Sequence, residues 1–193
     1  RAAEGMVKLA LQRAKRLMVQ DRLSWPPRDH AVHKALTGQR LTSEEYADLD
    51  DYSVMHCLKL WTRSDDVPLA ALCRGLMDRT LFKTIDLSQL SESDGAAAFV
   101  RAQNAVVAAG GDGTYDLFYD DPYDESYETF AAQKPSSDLS SERPGEILIR
   151  DVAGKLTPLT TLSPLPQAMN RQLMFRRIHV SAPWRDLCER AAR

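Results

Sequence analysis

The chain has 193 residues, of which 44% are hydrophobic and 27% are charged. This composition is typical of a globular protein, and the length allows a hydrophobic core in one or two small domains. The formal net charge of −2 excludes a general attraction to nucleic acid or to an anionic membrane surface. No run approaches the roughly eighteen apolar residues that a membrane-spanning helix needs, so we expect no membrane partner.

Three cysteines bear on the compartment of the protein. Cys57, Cys73 and Cys188 cannot all pair with one another, and their spacing matches no metal site. Apolar helical neighbours predict that Cys57 and Cys73 are buried thiols. This cysteine usage is typical of a reducing compartment, and we predict a cytoplasmic protein.

The first part of the chain predicts a series of helices. Apolar side chains recur at helical spacing over residues 2–20, which predicts a long first helix. Thr42 followed by Glu45 forms a capping box, which predicts the start of a short helix. Asp50 or Asp51 can cap the helix after it.

A further helix, with Pro68 in its first turn, leads into the segment Arg79-Thr80-Leu81-Phe82-Lys83. If this helix continues to Lys83, Arg79 and Lys83 lie four residues apart on one face of its last turn. Two interpretations of the pair remain open. Cations stabilise the negative end of a helix dipole, so the pair can be a solvated helix end. A guanidinium and an ammonium that reach one phosphate group can instead form an anion-binding site.

After Lys83 the pattern changes from helices to alternating strands and helices. The predicted order is strand, helix, strand, strand, helix, strand, which is typical of a ferredoxin-like α+β unit, and a terminal helix follows. The fold class that we predict is therefore α+β, with a helical region over residues 1–85 and a small α+β domain over residues 86–193. The predicted strands are residues 83–87, 115–119, 146–152 and 173–180, and the predicted helices begin at Ser91 or Ser93, at Pro164 or Pro166, and at Trp184.

Three other segments have a candidate function and a simpler structural explanation. Gly110-Gly111-Asp112-Gly113 follows a helix, whereas a phosphate-binding loop opens one, so a helix cap and turn explain it better. A solvated acidic edge explains residues 112–128 better than a cation site, because their spacing matches no EF-hand loop. A second basic cluster can be a surface patch or a subunit contact, and the polar residues 134–145 predict a loop. The acidic side chains are Asp112, Asp116, Asp120, Asp121, Asp124, Glu125 and Glu128, and the basic cluster is Arg171, Arg176, Arg177 and Arg185.

Three motifs occur in the order in which a known family carries them. Asp50-Asp51-Tyr52, Leu58-Lys59-Leu60-Trp61 and Arg79-Thr80-Leu81-Phe82-Lys83 resemble the region that follows the catalytic core in HD-domain phosphohydrolases of the dNTP triphosphohydrolase type. The opening residues 1–7, RAAEGMV, resemble the helix that leaves that core. In the family, the Arg and Lys of the last motif contact the phosphates of an activating nucleotide at a subunit interface. The resemblance therefore implies that Arg79 and Lys83 bind nucleotide phosphates and that the protein is a homo-oligomer.

The metal site that gives this family its name has no counterpart in the sequence. That site needs a His-Asp dipeptide, and none of the four histidines, His30, His33, His56 and His179, is followed by Asp. We therefore predict no catalytic residue, no metal ligand and no cofactor in this chain. The resemblance implies that the divalent metal belongs to a catalytic core that precedes Arg1.

Two functions remain open at this point. The chain can be the C-terminal regulatory and oligomerisation part of a phosphohydrolase that, when intact, converts dNTPs to nucleoside and triphosphate. Alternatively, it is a non-enzymatic α+β protein-interaction module, in which Arg79 and Lys83 only finish a helix.

Overall fold

A computed structural model describes residues 1–121, 148–162 and 175–193 of the chain. The chain divides into two compact units, one formed by residues 1–120 and 176–193 and the other by residues 121–175. The predicted loop over residues 134–145, the predicted helix start at Pro164 or Pro166, and Arg171 lie outside the described residues. Within the described ranges, no helix is long and apolar enough to cross a membrane.

The first unit begins with a series of helices whose ends follow local sequence signals. The capping box of Thr42 and Glu45 is confirmed, because each side chain accepts the backbone N–H of the other residue. Asp50 is confirmed as a cap, and its carboxylate accepts the N–H of Ser53 at 2.7 Å. Pro68 lies in the first turn of its helix, as predicted. The helices are α1 (Ala2–Val19), α2 (Ala31–Thr37), α3 (Ser43–Ala47), α4 (Asp51–Trp61) and α5 (Val67–Met77).

These helices pack around a first hydrophobic cluster. The indole of Trp61 is 1% exposed, and its Nε1 donates to the carbonyl oxygen of Trp25 at 2.8 Å. Cys57 and Cys73 are buried here, as predicted, and burial raises the pKa of the Cys73 thiol to about 12. The largest fully buried side chains of this cluster are Trp61, Met6, Leu17, Leu58 and Leu69.

An ion pair joins α1 to the start of α5. Nε and Nη2 of Arg13 donate to the two carboxylate oxygens of Asp66 at 2.9 and 2.7 Å. The same carboxylate caps α5 by accepting the N–H of Leu69. The guanidinium of Arg13 also lies over the ring of Tyr115, 4.9 Å from its centroid. The carboxylate of Asp66 therefore both caps the first turn of α5 and joins α5 to α1.

From residue 83 onward the described elements include both strands and helices. The bounds are β1 (Lys83–Asp86), α6 (Glu92–Ala108), β2 (Leu117–Asp120), β3 (Leu148–Arg150), β4 (Leu156–Pro158), α7 (Leu159–Leu162), β5 (Arg177–Val180), a 3-10 helix (Ala182–Trp184) and α8 (Arg185–Ala192). Ser91 caps α6, which confirms one of the two predicted starts. The α+β class is confirmed.

A three-stranded antiparallel sheet has β5 at its centre, with β1 and β2 on its two sides. Ile85, Leu117, Ile178 and Val180 belong to a second hydrophobic cluster, to which α6 and α8 contribute. The helices contribute mainly small side chains to this cluster, namely Ala98, Ala102, Val106, Cys188 and Ala192. The first cluster therefore draws on residues 6–73 and Tyr115, and the second on residues 85–192.

The predicted ferredoxin-like arrangement needs correction in its strand pairing. A ferredoxin-like unit joins four strands, and the third was predicted over residues 146–152. The described part of that segment, β3, pairs with β4 in a separate hairpin. Asp151 accepts the N–H groups of Ala153 and Lys155, and Gly154 has φ 84°, so the chain turns straight back onto β3. The hydrogen-bonding groups of β3 thus pair locally within the second unit.

Candidate functional site

The condition under which Arg79 and Lys83 would share one helix face is not met, because the helix ends before Arg79, whereas the strand predicted from Lys83 onward is present. The helix α5 stops at Met77, and the N–H of Asp78 closes its last turn on the carbonyl of Arg74 at 2.8 Å. Arg79 follows with φ 56°, in the left-handed region of backbone space. Lys83 begins β1 and pairs with Val180 of β5.

Packing of the residues between them explains why the helix ends. Leu81 and Phe82 pack against the first hydrophobic cluster, and the N–H of Phe82 approaches the sulfur of Met6 at 3.3 Å. The rings of Phe82 and Phe118 lie 6.1 Å apart. A helix continuing to Lys83 would carry Phe82 away from these partners and would remove Lys83 from its strand.

The two cations remain on the outside of the protein. Arg79 and Lys83 are both exposed, and neither side chain makes a hydrogen bond or an ion pair within the described residues. Their Cα atoms can be up to about 13 Å apart in an extended segment, compared with about 6 Å at this spacing in a helix. The long side chains can still reach one extended polyanion from two sides, but the compact clamp of a single helical turn is not formed.

The backbone of Arg79 is unusual for its residue type. Left-handed backbone costs a residue with a Cβ atom about 1 kcal/mol, and glycine or asparagine is preferred where a helix ends this way. The guanidinium makes no hydrogen bond or ion pair within the described residues that would offset this cost. A strained backbone that no interaction within the protein explains is an observation from which a functional role can be inferred.

The described acidic residues have mostly structural roles. Asp112 accepts the N–H groups of Thr114 and Tyr115, and Asp116 accepts from the backbone of Asp112 and from the hydroxyl of Ser181. These bonds brace the turn that follows α6 and tie it to the end of β5. The residues Asp124, Glu125 and Glu128 lie outside the described part of the chain.

The basic cluster does not form one patch in the part that the structure describes. Arg176 is buried, and its Nη1 donates to the carbonyl of Leu90 at 2.9 Å. Arg177 lies in β5, and Arg185 lies in α8, 3.9 Å from Glu189. The turn over residues 110–113 follows the end of α6, as the order of the elements predicted.

A resident metal ion does not fit the described residues. No group of three or more His, Cys, Asp and Glu side chains converges there. His30 caps α2, and His33 shares a hydrogen bond with the carbonyl of Pro26. His56 packs against the Trp25 ring at 5.7 Å. The absence of a metal cofactor from the whole chain stays a prediction.

His179 lies buried at the centre of the sheet. Its Nδ1 shares a hydrogen bond of 3.1 Å with Oγ1 of Thr84, and its ring stacks on Phe118 at 4.8 Å. Burial lowers the pKa of this histidine, and the carboxylate of Asp120, 3.5 Å from Nε2, offsets part of that effect. The ring is therefore held neutral to lower pH than a free histidine.

A cleft in the first unit was not foreseen from the sequence. It encloses about 670 Å³ between α5, the turn after α6 and the 3-10 helix. Arg74 and Trp184 line it from elements that lie more than a hundred residues apart in the sequence. Neither residue belongs to a motif, so only the packing of the first unit brings them to one cleft.

Comparisons with known proteins add a partial relationship. No protein-family profile matches the chain. The uncharacterized protein YwfO of Bacillus subtilis (strain 168) is 28% identical over 132 residues, which cover 67% of this chain and 29% of that protein. The fold is similar to part of a crystal structure of a phosphohydrolase from Bacteroides thetaiotaomicron, with a TM-score of 0.59 and 19% sequence identity.

The structural match covers 93% of this chain and 44% of the Bacteroides protein. The chain thus spans less than half the length of either relative. At these identities, the likeness shows that the chain shares its fold with part of a phosphohydrolase.

Proposed function

We propose that the chain is the regulatory and oligomerisation part of a metal-dependent HD-type phosphohydrolase that acts on nucleotides. In this proposal, Arg79 and Lys83 bind the phosphates of an activating nucleotide at a subunit interface. In the same proposal, the metal and the catalytic residues belong to a catalytic core that lies outside this chain. A cytoplasmic location and the division at residues 85 and 86 belong to the same proposal.

The backbone of Arg79 is the observation that carries this proposal. An exposed arginine with φ 56° and no described partner is explained if its side chain is needed for a ligand. Lys83, four residues on, is the second exposed cation of the same segment. A bidentate guanidinium and a mobile ammonium are suited to the charge of a triphosphate.

Two further observations and one general principle support the proposal. The motifs around Asp50, Trp61 and Lys83 occur in the order in which the family carries them. The fold matches part of a protein described as a phosphohydrolase, and the chain spans under half of that protein. Assembly driven by a nucleotide is consistent with mass action, because a ligand that binds only the oligomer shifts the equilibrium toward it.

The test uses the intact phosphohydrolase of this proposal. We expect a deoxynucleoside triphosphate to raise its mass in analytical ultracentrifugation, and Arg79→Ala with Lys83→Ala to abolish the increase. Lys15→Ala with Arg16→Ala is the matched control, since it removes the same charge from an exposed face of α1. An unchanged response of the first double variant would contradict the proposal and favour the interaction module.

A further inference from the structure

The cleft of the first unit has an apolar floor. Met6, Leu72, Phe82 and Tyr115 line this floor, and all of them except Phe82 are buried. The volume of about 670 Å³ lies within the range of about 300–1,000 Å³ that is usual for small-molecule sites. The lining residues all belong to one compact unit, so a single unit forms the cleft.

Three aromatic rings line the cleft from three parts of the chain. Phe82 precedes β1, Tyr115 follows α6, and Trp184 is the last residue of the 3-10 helix. A Cβ atom on Gly111 would lie 2.9 Å from Cε2 of Trp184, so the indole packs directly on the backbone of this glycine. The face of an aromatic ring attracts cations, because its quadrupole is negative there. The rings therefore favour a ligand that is apolar or positively charged.

The charges that line the cleft are two carboxylates and one guanidinium. Asp112 and Asp116 are half-buried and form no ion pair within the described residues, whereas Arg74 is exposed. The ion pair between Arg13 and Asp66 does not line the cleft and is neutral as a pair. The lining charge is therefore net negative, and the charge of its half-buried part is entirely negative.

Hydrogen bonds hold the two carboxylates in place without supplying a counter-charge. Oδ1 of Asp112 accepts the N–H groups of Thr114 and Tyr115 at 2.8 and 3.2 Å. The two oxygens of Asp116 accept the N–H of Asp112 and the hydroxyl of Ser181. Oδ2 of Asp112 makes no hydrogen bond within the described residues, so this oxygen can accept one from a ligand.

We propose that this cleft binds a protonated primary amine that carries an aromatic ring. The ring of the ligand packs on the apolar floor and on Trp184, and its ammonium group donates to Asp112. A charge-assisted hydrogen bond and the attraction of aromatic faces for a cation act on the same group of the ligand. This site is separate from Arg79 and Lys83, which do not line the cleft.

Asp112 also has a simpler explanation, because its carboxylate braces the turn after α6. Asparagine keeps the Oδ1 acceptor of that turn and removes the charge, so Asp112→Asn separates turn bracing from ligand binding. Asp50 is the matched control. It also accepts a backbone N–H, that of Ser53, and it is exposed and does not line the cleft.

The first experiment is isothermal titration of the 193-residue chain with three probes that share one naphthalene ring. They are the cation of 1-naphthylmethylamine, the neutral 1-naphthalenemethanol and the anion 1-naphthoate. We expect the amine to bind one site most tightly and the carboxylate to bind most weakly. Asp112→Asn should weaken binding of the amine about fivefold, the value of a partly solvated ion pair, and should leave the alcohol unchanged.

Two further variants complete this titration. Arg74→Gln removes the exposed cation of the lining, so it should tighten binding of the amine by up to about twofold. Asp50→Asn should change the affinity for none of the probes. Equal affinity for the amine and the alcohol, tightest binding of the carboxylate, or equal losses in both aspartate variants would overturn the proposal.

A second experiment locates the site without relying on charge. In NMR spectra, the indole N–H resonance that Trp184→Phe removes should shift on addition of the amine. The resonances of Trp25 and Trp61, which do not line the cleft, should stay in place. Ala71→Phe, at an exposed lining position of α5, should fill the cleft and abolish binding while the far-UV spectrum stays unchanged. An unshifted Trp184 resonance, binding that persists in Ala71→Phe, or the lack of any binding by the unsubstituted chain would contradict the proposal.

Discussion

The first unit has a helical region, formed by α1 to α5, and a sheet region, formed by β1, β2, β5, α6 and α8. The buried polar groups of these two regions have different charge states. In the helical region, Arg13 and Asp66 form a two-point ion pair whose carboxylate also caps α5, so its hydrogen bonds are satisfied. In the sheet region, His179 is 2% exposed, and its Nε2 lies 3.5 Å from the Asp120 carboxylate. One polar group is therefore held charged by its partner, and the other is held neutral by burial.

This difference predicts where each region is vulnerable. The helical region depends on a few large side chains and on one ion pair that links two helices. The sheet region packs small helical side chains against strands and contains a group that resists protonation. Loss of volume should therefore harm the helical region most, and acid should harm the sheet region first.

The largest expected loss of stability is in the first hydrophobic cluster, which belongs to the helical region. Trp61→Ala should lower the free energy of unfolding by about 3–5 kcal/mol, because it leaves a cavity and orphans the carbonyl of Trp25. In the second hydrophobic cluster, Ile178→Val should lower the free energy of unfolding by about 1 kcal/mol, because it removes one buried methyl group. Urea unfolding curves measure both values. Similar losses in the two variants would contradict this order.

The ion pair should give the next largest effect. Asp66→Ala should cost about 2–3 kcal/mol, since it removes a helix cap and leaves the half-buried Arg13 without its partner. Asp66→Asn retains a capping oxygen and should cost less. Thermal unfolding of both variants tests this order, and an equal loss would mean that the charge contributes little.

Acid should weaken the sheet region through His179. Burial lowers the pKa of His179 in the folded protein, so below about pH 6.5 the unfolded chain binds a proton more readily than the folded protein does. Stability from this group is therefore complete above that pH and falls as the pH drops toward the folded pKa, by up to about 1.4 kcal/mol per pH unit. The unfolding free energy measured between pH 7 and pH 5 should show this slope.

Two histidine variants separate this cause from general acid effects. His179→Gln should flatten the slope, and His56→Gln, at an exposed position of α4, should leave it unchanged. The ion pair between Arg13 and Asp66 should lose its contribution to stability only at lower pH. Arg13 holds the pKa of Asp66 below its usual 3.8, so this contribution is complete above that pH and is lost as the pH falls below it. A slope that survives in His179→Gln would assign the acid sensitivity elsewhere.

The smallest expected effect is at Arg79, where the two regions join. Arg79→Gly should raise the free energy of unfolding by about 0.5–1 kcal/mol, because glycine adopts φ 56° without the Cβ penalty. Differential scanning calorimetry measures this gain, with Arg40→Gly in an exposed loop as the control. A loss of stability would mean that the guanidinium has a structural partner.

The helix starts could be predicted from the sequence because their causes are local. A capping box needs only Thr42 and a glutamate three residues on, and Asp50 and Ser91 cap their own helices. The end of α5 could not be predicted in this way. It depends on Met6, which contacts Phe82, and on Val180, which pairs with Lys83 from the far end of the chain.

The candidate sites follow the same rule. The sequence identified Arg79 and Lys83 as a pair, but their helical spacing implied a shared face that the fold does not have. Arg74 and Trp184, which line the cleft, belong to no sequence motif, because only tertiary packing brings them together. The strand order likewise depended on β5, whose pairing with both β1 and β2 no local pattern specifies.

The most direct test of the central claim is the affinity of the proposed phosphohydrolase for a deoxynucleoside triphosphate with and without Arg79→Gly. If Arg79 binds phosphate, this variant should lose at least about tenfold in affinity, the value of one charge-assisted contact, although the fold becomes more stable. Affinity and stability would then move in opposite directions at one residue. An unchanged affinity together with the gain in stability would contradict the claim.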